Sequence, residues 1–160
     1  MIRAAFPGSF DPPTFGHIDI IERSRAVFDE LVVVIAENKQ KQYLFSAEER
    51  RVMMAGMVKD WENVTVMPCD TLIVELLRRE NIKIMVRGVR NVTDFSYESE
   101  LSMMNKALSP GIETIFMMTR PEYIVLRSSS VRELAAFDGD LSGLVPPVVA
   151  DALRKKYSKS

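Results

Sequence analysis

Apolar runs and amphipathic stretches alternate along almost the whole chain. Leu31-Val32-Val33-Val34-Ile35 is apolar at consecutive positions, as expected of a strand buried on both faces. Shorter runs of the same kind predict strands over Arg3–Phe6, Leu31–Ala36, Val64–Met67, Ile84–Arg87 and Thr114–Met118. Between them apolar residues recur at helical spacing, which predicts helices over His17–Phe28, Ala47–Lys59, Leu72–Glu80 and Asp94–Leu108, then Ser130–Phe137 and Pro147–Lys156. Ser46-Ala47-Glu48-Glu49 and Ser130-Val131-Arg132-Glu133 both read as capping boxes, each marking a helix start. Such alternation implies right-handed crossovers and an α/β fold: a five-stranded parallel sheet with helices on both faces.

A chain of 160 residues, 47% of them hydrophobic, reads as one domain over residues 1–160 with a real core. Its 21 basic and 22 acidic residues leave a net charge of −1, so no overall field draws it to nucleic acid or to a membrane surface. A polyanion site has to be a local cluster. The single cysteine, Cys69, rules out an internal disulfide and fits a reducing compartment. No basic segment followed by an apolar stretch opens the chain, and no apolar run approaches spanning length, so cytoplasm is the expectation. The methionine pairs Met53-Met54, Met103-Met104 and Met117-Met118 read as adaptable core filler, and no metal-ligand cluster is indicated.

In a sheet of this kind ligands bind beyond the C-terminal strand ends, near the switch in strand order. Pro7–Gly16, Glu37–Gln42, Gly88–Thr93 and Arg120–Ser129 all fall there. In the first, Gly8 and Gly16 are expected to admit a ligand close to the backbone, and His17, the only histidine, lies where free helix N–H groups favour an anion. Arg87-Gly88-Val89-Arg90 sets two guanidinium forks around a glycine at a strand end. Ser128-Ser129-Ser130 puts hydroxyls at a helix start, a ready anion cradle as well as an ordinary cap. Lys39 and Lys41 are the cations of the second loop. Phosphate chemistry is the reading these loops share.

Gly8-Ser9-Phe10-Asp11-Pro12-Pro13-Thr14-Phe15-Gly16-His17 resembles the T/HxGH signature of the nucleotidyltransferase superfamily. Threonine at position 14 is similar to the bacterial phosphopantetheine adenylyltransferases. Their RGLRxxxDFxYExxxxxMNxxL block is matched by Arg87, Gly88, Arg90, Asp94, Phe95, Tyr97, Glu98, Met104, Asn105 and Leu108. Leu126-Arg127-Ser128-Ser129 resembles the same family's ISSS, with Arg127 where that pattern has serine. The likeness implies a Rossmann-like nucleotidyltransferase fold and adenylyl transfer from ATP to 4′-phosphopantetheine, giving dephospho-coenzyme A and pyrophosphate. It implies that His17 and Lys41 act on the transition state, Lys41 by counting back from Phe45, with Lys39 the alternative. Ser9, Lys41, Ile73, Arg87 and Asn105 would meet the acceptor. Ser9, Phe10, His17, Gly88, Val89, Arg90, Glu98, Tyr123, Ile124, Val125, Leu126, Arg127, Ser128 and Ser129 would meet ATP. Magnesium carried on the ATP phosphates, coenzyme A as a feedback inhibitor and a homohexameric assembly complete what it implies. Transfer to nicotinamide mononucleotide and a silent nucleotide-binding module are the alternatives; the Asp94–Leu108 block disfavours the first, and intact His17, Arg87 and Arg90 disfavour the second.

Overall fold

The runs read as strands lie side by side in one parallel sheet. A computed structural model describes residues 1–158, in which β1 (Arg3–Gly8), β2 (Glu30–Ala36), β3 (Val64–Cys69), β4 (Ile84–Val89) and β5 (Glu113–Met118) are ordered 3-2-1-4-5. Helices α1 (Phe15–Arg25), α2 (Ala47–Val58), α3 (Ile73–Arg79) and α4 (Val92–Leu108) are the crossovers. A short 3-10 turn (Pro121–Tyr123) leads to α5 (Ser128–Ala136) and α6 (Pro147–Tyr157).

Strand alternation divides the core in two. Phe6, Leu31 and Val33 face one side, where Ile20 and Ile21 of α1 and Met54 and Val58 of α2 cover them. Ala5, Val32, Val34 and Met85 face the other, under Val74, Leu76 and Leu77 of α3. A third cluster joins Met53 of α2 to Val131 of α5 and to Val149 and Leu153 of α6. Each such aliphatic side chain, once buried, contributes about 1.5–3 kcal/mol. Among the described residues no helix is long and apolar enough to cross a membrane.

Three expectations need correction. The capping box at Ser46 forms, with Glu49 N–H on Ser46 Oγ at 3.2 Å and Ser46 N–H on Glu49 Oε2 at 2.7 Å. The one at Ser130 does not. Helix α5 begins two residues earlier, at Ser128, because the Ser128 hydroxyl donates to the Pro12 carbonyl at 2.8 Å and fixes that residue as the first of the helix. Helix α4 likewise starts before Asp94, at Val92, capped by Asn91, whose side chain accepts from Asp94 N–H. Helix α4 buries none of its residues. Met103 and Met104 face outward, whereas Met53 and Met54 are buried as expected.

Candidate active site

The sheet opens where strand order reverses. β1 and β2 stay in register from Arg3↔Glu30 to Gly8↔Ile35, but β1 and β4 pair only at Ala4↔Ile84 and Ala5↔Met85. Beyond that point lies a cleft of about 680 Å³, and the loops expected to converge do so around it. Its lining includes Ser9, Phe10, His17, Lys41, Arg87, Gly88, Arg90, Glu98, Tyr123, Leu126, Arg127, Ser128 and Ser129.

The turn after β1 is built around an aromatic ring. Phe10 takes a left-handed backbone conformation (φ 49°), and its ring meets Phe6 and His17 edge-on at 5.5 and 4.9 Å. A Cβ on Gly8 would stand 2.8 Å from Phe10 Cζ, so a side chain there would press on the protein's own ring. A Cβ on Gly16 would meet Thr14 Oγ1 at 3.5 Å and Tyr123 Cβ at 3.6 Å, ordinary contact. Both glycines line the cleft, and Gly8 in addition leaves room for the Phe10 ring.

Thr14 caps α1, and His17 in the first turn reaches back to it. The Thr14 N–H donates to His17 Nδ1 at 3.0 Å, and the Thr14 hydroxyl lies 3.1 Å from the same nitrogen. An Nδ1 that accepts a backbone N–H carries no proton, so the neutral ring holds its proton on Nε2. Burial, then the charges of Arg90 and Arg87, push the His17 pKa down to about 4. At neutral pH the imidazole is thus an uncharged donor.

The guanidinium groups around it are oriented by carboxylates. Arg87 grips Glu98 through Nε (2.7 Å) and Nη2 (2.6 Å) and donates Nη1 to the Pro7 carbonyl at 2.6 Å. Glu98, assigned from sequence to ATP, lines the cleft but commits its carboxylate to Arg87. Arg90 holds Asp94 by Nε and Nη2 at 2.7 and 3.2 Å. Burial pushes Asp94 up, but bonds from Arg90, its charge and that of Arg127 outweigh this and hold the carboxyl below its usual range. Arg132 pairs with Asp11 at 2.6 Å. Arg127, at the N-cap of α5, is exposed and lines the cleft.

Not every expected residue reaches this place. Lys41 lines the cleft and Lys39 does not. Ile124 and Val125 point outward from the loop after the 3-10 turn, and Val89 is buried in β4; none of the three lines the cleft. Ile73 packs half-buried at the start of α3, and Asn105 sits on α4 with its amide 3.9 Å from Met85 Sδ; both lie outside the cleft lining. Two cleft-lining residues, Asp11 and Arg132, carry no role in the sequence reading. Asp11 and Arg132 meet across 121 residues of sequence, so local pattern carries no trace of their pairing. Outside the cleft lining, buried Asp19 on α1 accepts from Arg23 of the same helix at 3.0 Å and lies 2.9 Å from Arg120 Nε, which ties the loop after β5 to the helix.

A parallel sheet split at its switch point, a histidine on a helix start and a ring of guanidinium groups define a nucleotidyltransferase, and the cytidylyltransferase-like family model matches residues 5–134. Phosphopantetheine adenylyltransferase from Dictyoglomus thermophilum is 47% identical over 157 residues, covering 98% of this chain and 96% of that protein. The enzymes of that name from Aquifex aeolicus and Clostridium tetani are each 47% identical, over 156 and 153 residues, covering 98% and 96% of this chain and 96% of each relative. The chain belongs to the phosphopantetheine adenylyltransferase family. A crystal structure from Vibrio parahaemolyticus, provisionally described as a nicotinate-nucleotide adenylyltransferase, has the same fold, with a TM-score of 0.73 at 18% identity over 100% of this chain and 98% of that one.

Proposed function

We propose that the chain transfers AMP from ATP to 4′-phosphopantetheine, yielding dephospho-coenzyme A and pyrophosphate, by direct in-line displacement. An oxygen of the acceptor phosphate bonds to the α-phosphorus of ATP. The bond from that phosphorus to the α,β-bridging oxygen breaks, and its electron pair leaves with pyrophosphate. A phosphate monoester is already anionic at neutral pH, so neither a general base nor a protein nucleophile is required. What remains is to align two anions and to neutralise charge on the α-phosphate and the leaving group.

The observation that carries this reading is the state of His17: neutral, with Nδ1 engaged by Thr14 and the Nε2–H left as donor in a cleft of cations. That N–H donates to an α-phosphate oxygen as charge grows there, and Lys41 shares the load. Ser9 and Arg87 hold the acceptor phosphate. Arg90, Tyr123, Leu126, Arg127, Ser128 and Ser129 hold ATP. Roles for Ile73 and Asn105 along the pantetheine arm rest on family resemblance. Magnesium arrives on the ATP phosphates, as part of the substrate; the carboxylates of the cleft, Asp11, Asp94 and Glu98, are each engaged by a guanidinium.

Assembly as a homohexamer, inhibition by coenzyme A and a cytoplasmic location belong to the same reading. Assembly is supported by the face of α4 and edge strand β5, which expose Tyr97, Met103, Met104, Leu108 and Met118 and would suit contact with a further copy of the chain. The decisive assay is pyrophosphate release from ATP with 4′-phosphopantetheine or nicotinamide mononucleotide as acceptor. Release with the former is expected; release only with the latter overturns the proposal.

A further inference from the structure

Arg50, on α2, is fully buried and, among the described residues, pairs with no carboxylate. Its guanidinium donates to the carbonyls of Phe45 (3.2 Å), Ser9 (2.6 Å) and Ala36 (3.0 Å), and lies over the Tyr43 ring at 4.1 Å. A buried cation held only by carbonyls and a ring face is costly, so the position has to serve a geometric need. Buried Asp11 works on the opposite side of the same backbone. It accepts from Leu44 N–H at 2.8 Å and Phe45 N–H at 3.0 Å, and its third partner is Arg132. The Phe45 main chain is therefore gripped at both polar groups, its N–H by Asp11 and its carbonyl by Arg50.

These bonds close a loop at both ends. The segment carrying Lys41 leaves the sheet at Ala36 and rejoins the body at Phe45; Arg50 holds both points, and Asp11 holds the second. The same two side chains belong to, or bind, the Ser9–Asp11 turn beside His17. We infer that Arg50 and Asp11 are positioning residues that lock the Lys41 loop onto the Ser9–Asp11 turn and thereby set the Lys41 ammonium against the transferring phosphate. This rests on the proposed role of Lys41. A misplacement of about 1 Å is enough to cost roughly a hundredfold in rate.

The test is a set of cycles in the intact protein: Arg50→Lys and Asp11→Asn, each alone and combined with Lys41→Ala, with kcat, KM and ATP dissociation constants measured. Thermal unfolding is followed alongside, so that whichever variant stays folded is the one read. Each single change is expected to lower kcat by roughly tenfold or more while the ATP dissociation constant moves by less than about twofold. In the Lys41→Ala background either change should cost less than about twofold further, because the group being positioned is gone. Losses that multiply in the double variants overturn the positioning role while leaving Lys41 in place. A normal kcat for Lys41→Ala overturns both. Normal kcat in the folded single variants overturns the positioning role alone.

Discussion

His17 works as a neutral donor, and its pH behaviour follows from that. With its pKa at about 4 the ring does not change charge between pH 8 and 5, so kcat should show no fall near pH 6.5 attributable to His17. Folding stability has the opposite sensitivity. The unfolded chain binds this proton from 6.5 downward and the folded one only near 4, so stability is complete above 6.5 and is lost as pH falls through that window. The loss is at most about 3–4 kcal/mol, less to the extent that water reaches the half-buried ring, and urea titrations from pH 7 to 4 of wild type against His17→Asn would isolate it. His17→Ala should lower kcat by about a hundredfold or more with little change in ATP affinity. Arg87→Ala should raise the KM for 4′-phosphopantetheine strongly and that for ATP slightly, and lysine should restore only part because it lacks the fork. Arg127 is the sharper case. A cation at a helix N-terminus is unfavourable unless an anion offsets it, and Asp94 is already engaged by Arg90. Calorimetry should therefore find ATP binding weakened roughly tenfold in Arg127→Ser, and AMP binding much less, because AMP lacks the phosphates in question.

Elements were legible where burial and pattern agree. The run Leu31–Ile35 is apolar because β2 is covered on both faces, and its expected position is off by one residue at the start. The two serine caps separate what a local motif can and cannot say. Ser46 meets its own helix only, so spacing was enough. At Ser130 the same pattern failed because Ser128 answers to Pro12, more than a hundred residues away. Ser46→Ala should thus destabilise by about 1 kcal/mol in urea unfolding, while Ser130→Ala stays within about 0.5 kcal/mol. The outward Met103 and Met104 of α4 follow a related rule: amphipathic spacing says that a face will be covered, not that the chain's own core will cover it. In the cleft, the glycine, histidine and arginine positions were readable because their chemistry is specific to residue type. Asp11 and Arg50 were not, since a turn aspartate and a helix arginine look solvated until the backbone groups they bind come into view.

At the scale of the molecule, the uncovered face of α4 and the open edge of β5 should bring copies together. Sedimentation velocity is expected to show a species well above 18.2 kDa, and Met104→Glu to shift it toward the monomer without unfolding it. The seam between β1 and β4 has a different consequence. With only two positions in register there, against six between β1 and β2, the sheet is two well-paired blocks joined by a weak suture. Native amide exchange should resolve them as separate cooperative units, the β4–β5–α4 block opening at a lower free energy than β1–β2–β3. Arg87 already bridges the suture through its bond to Pro7, and a nucleotide touching Ser9 on one bank and Arg90 on the other would cross it as well. Saturating ATP should then slow exchange in both blocks at once and merge their opening into a single event, so that the substrate completes the mechanical continuity of the fold that binds it.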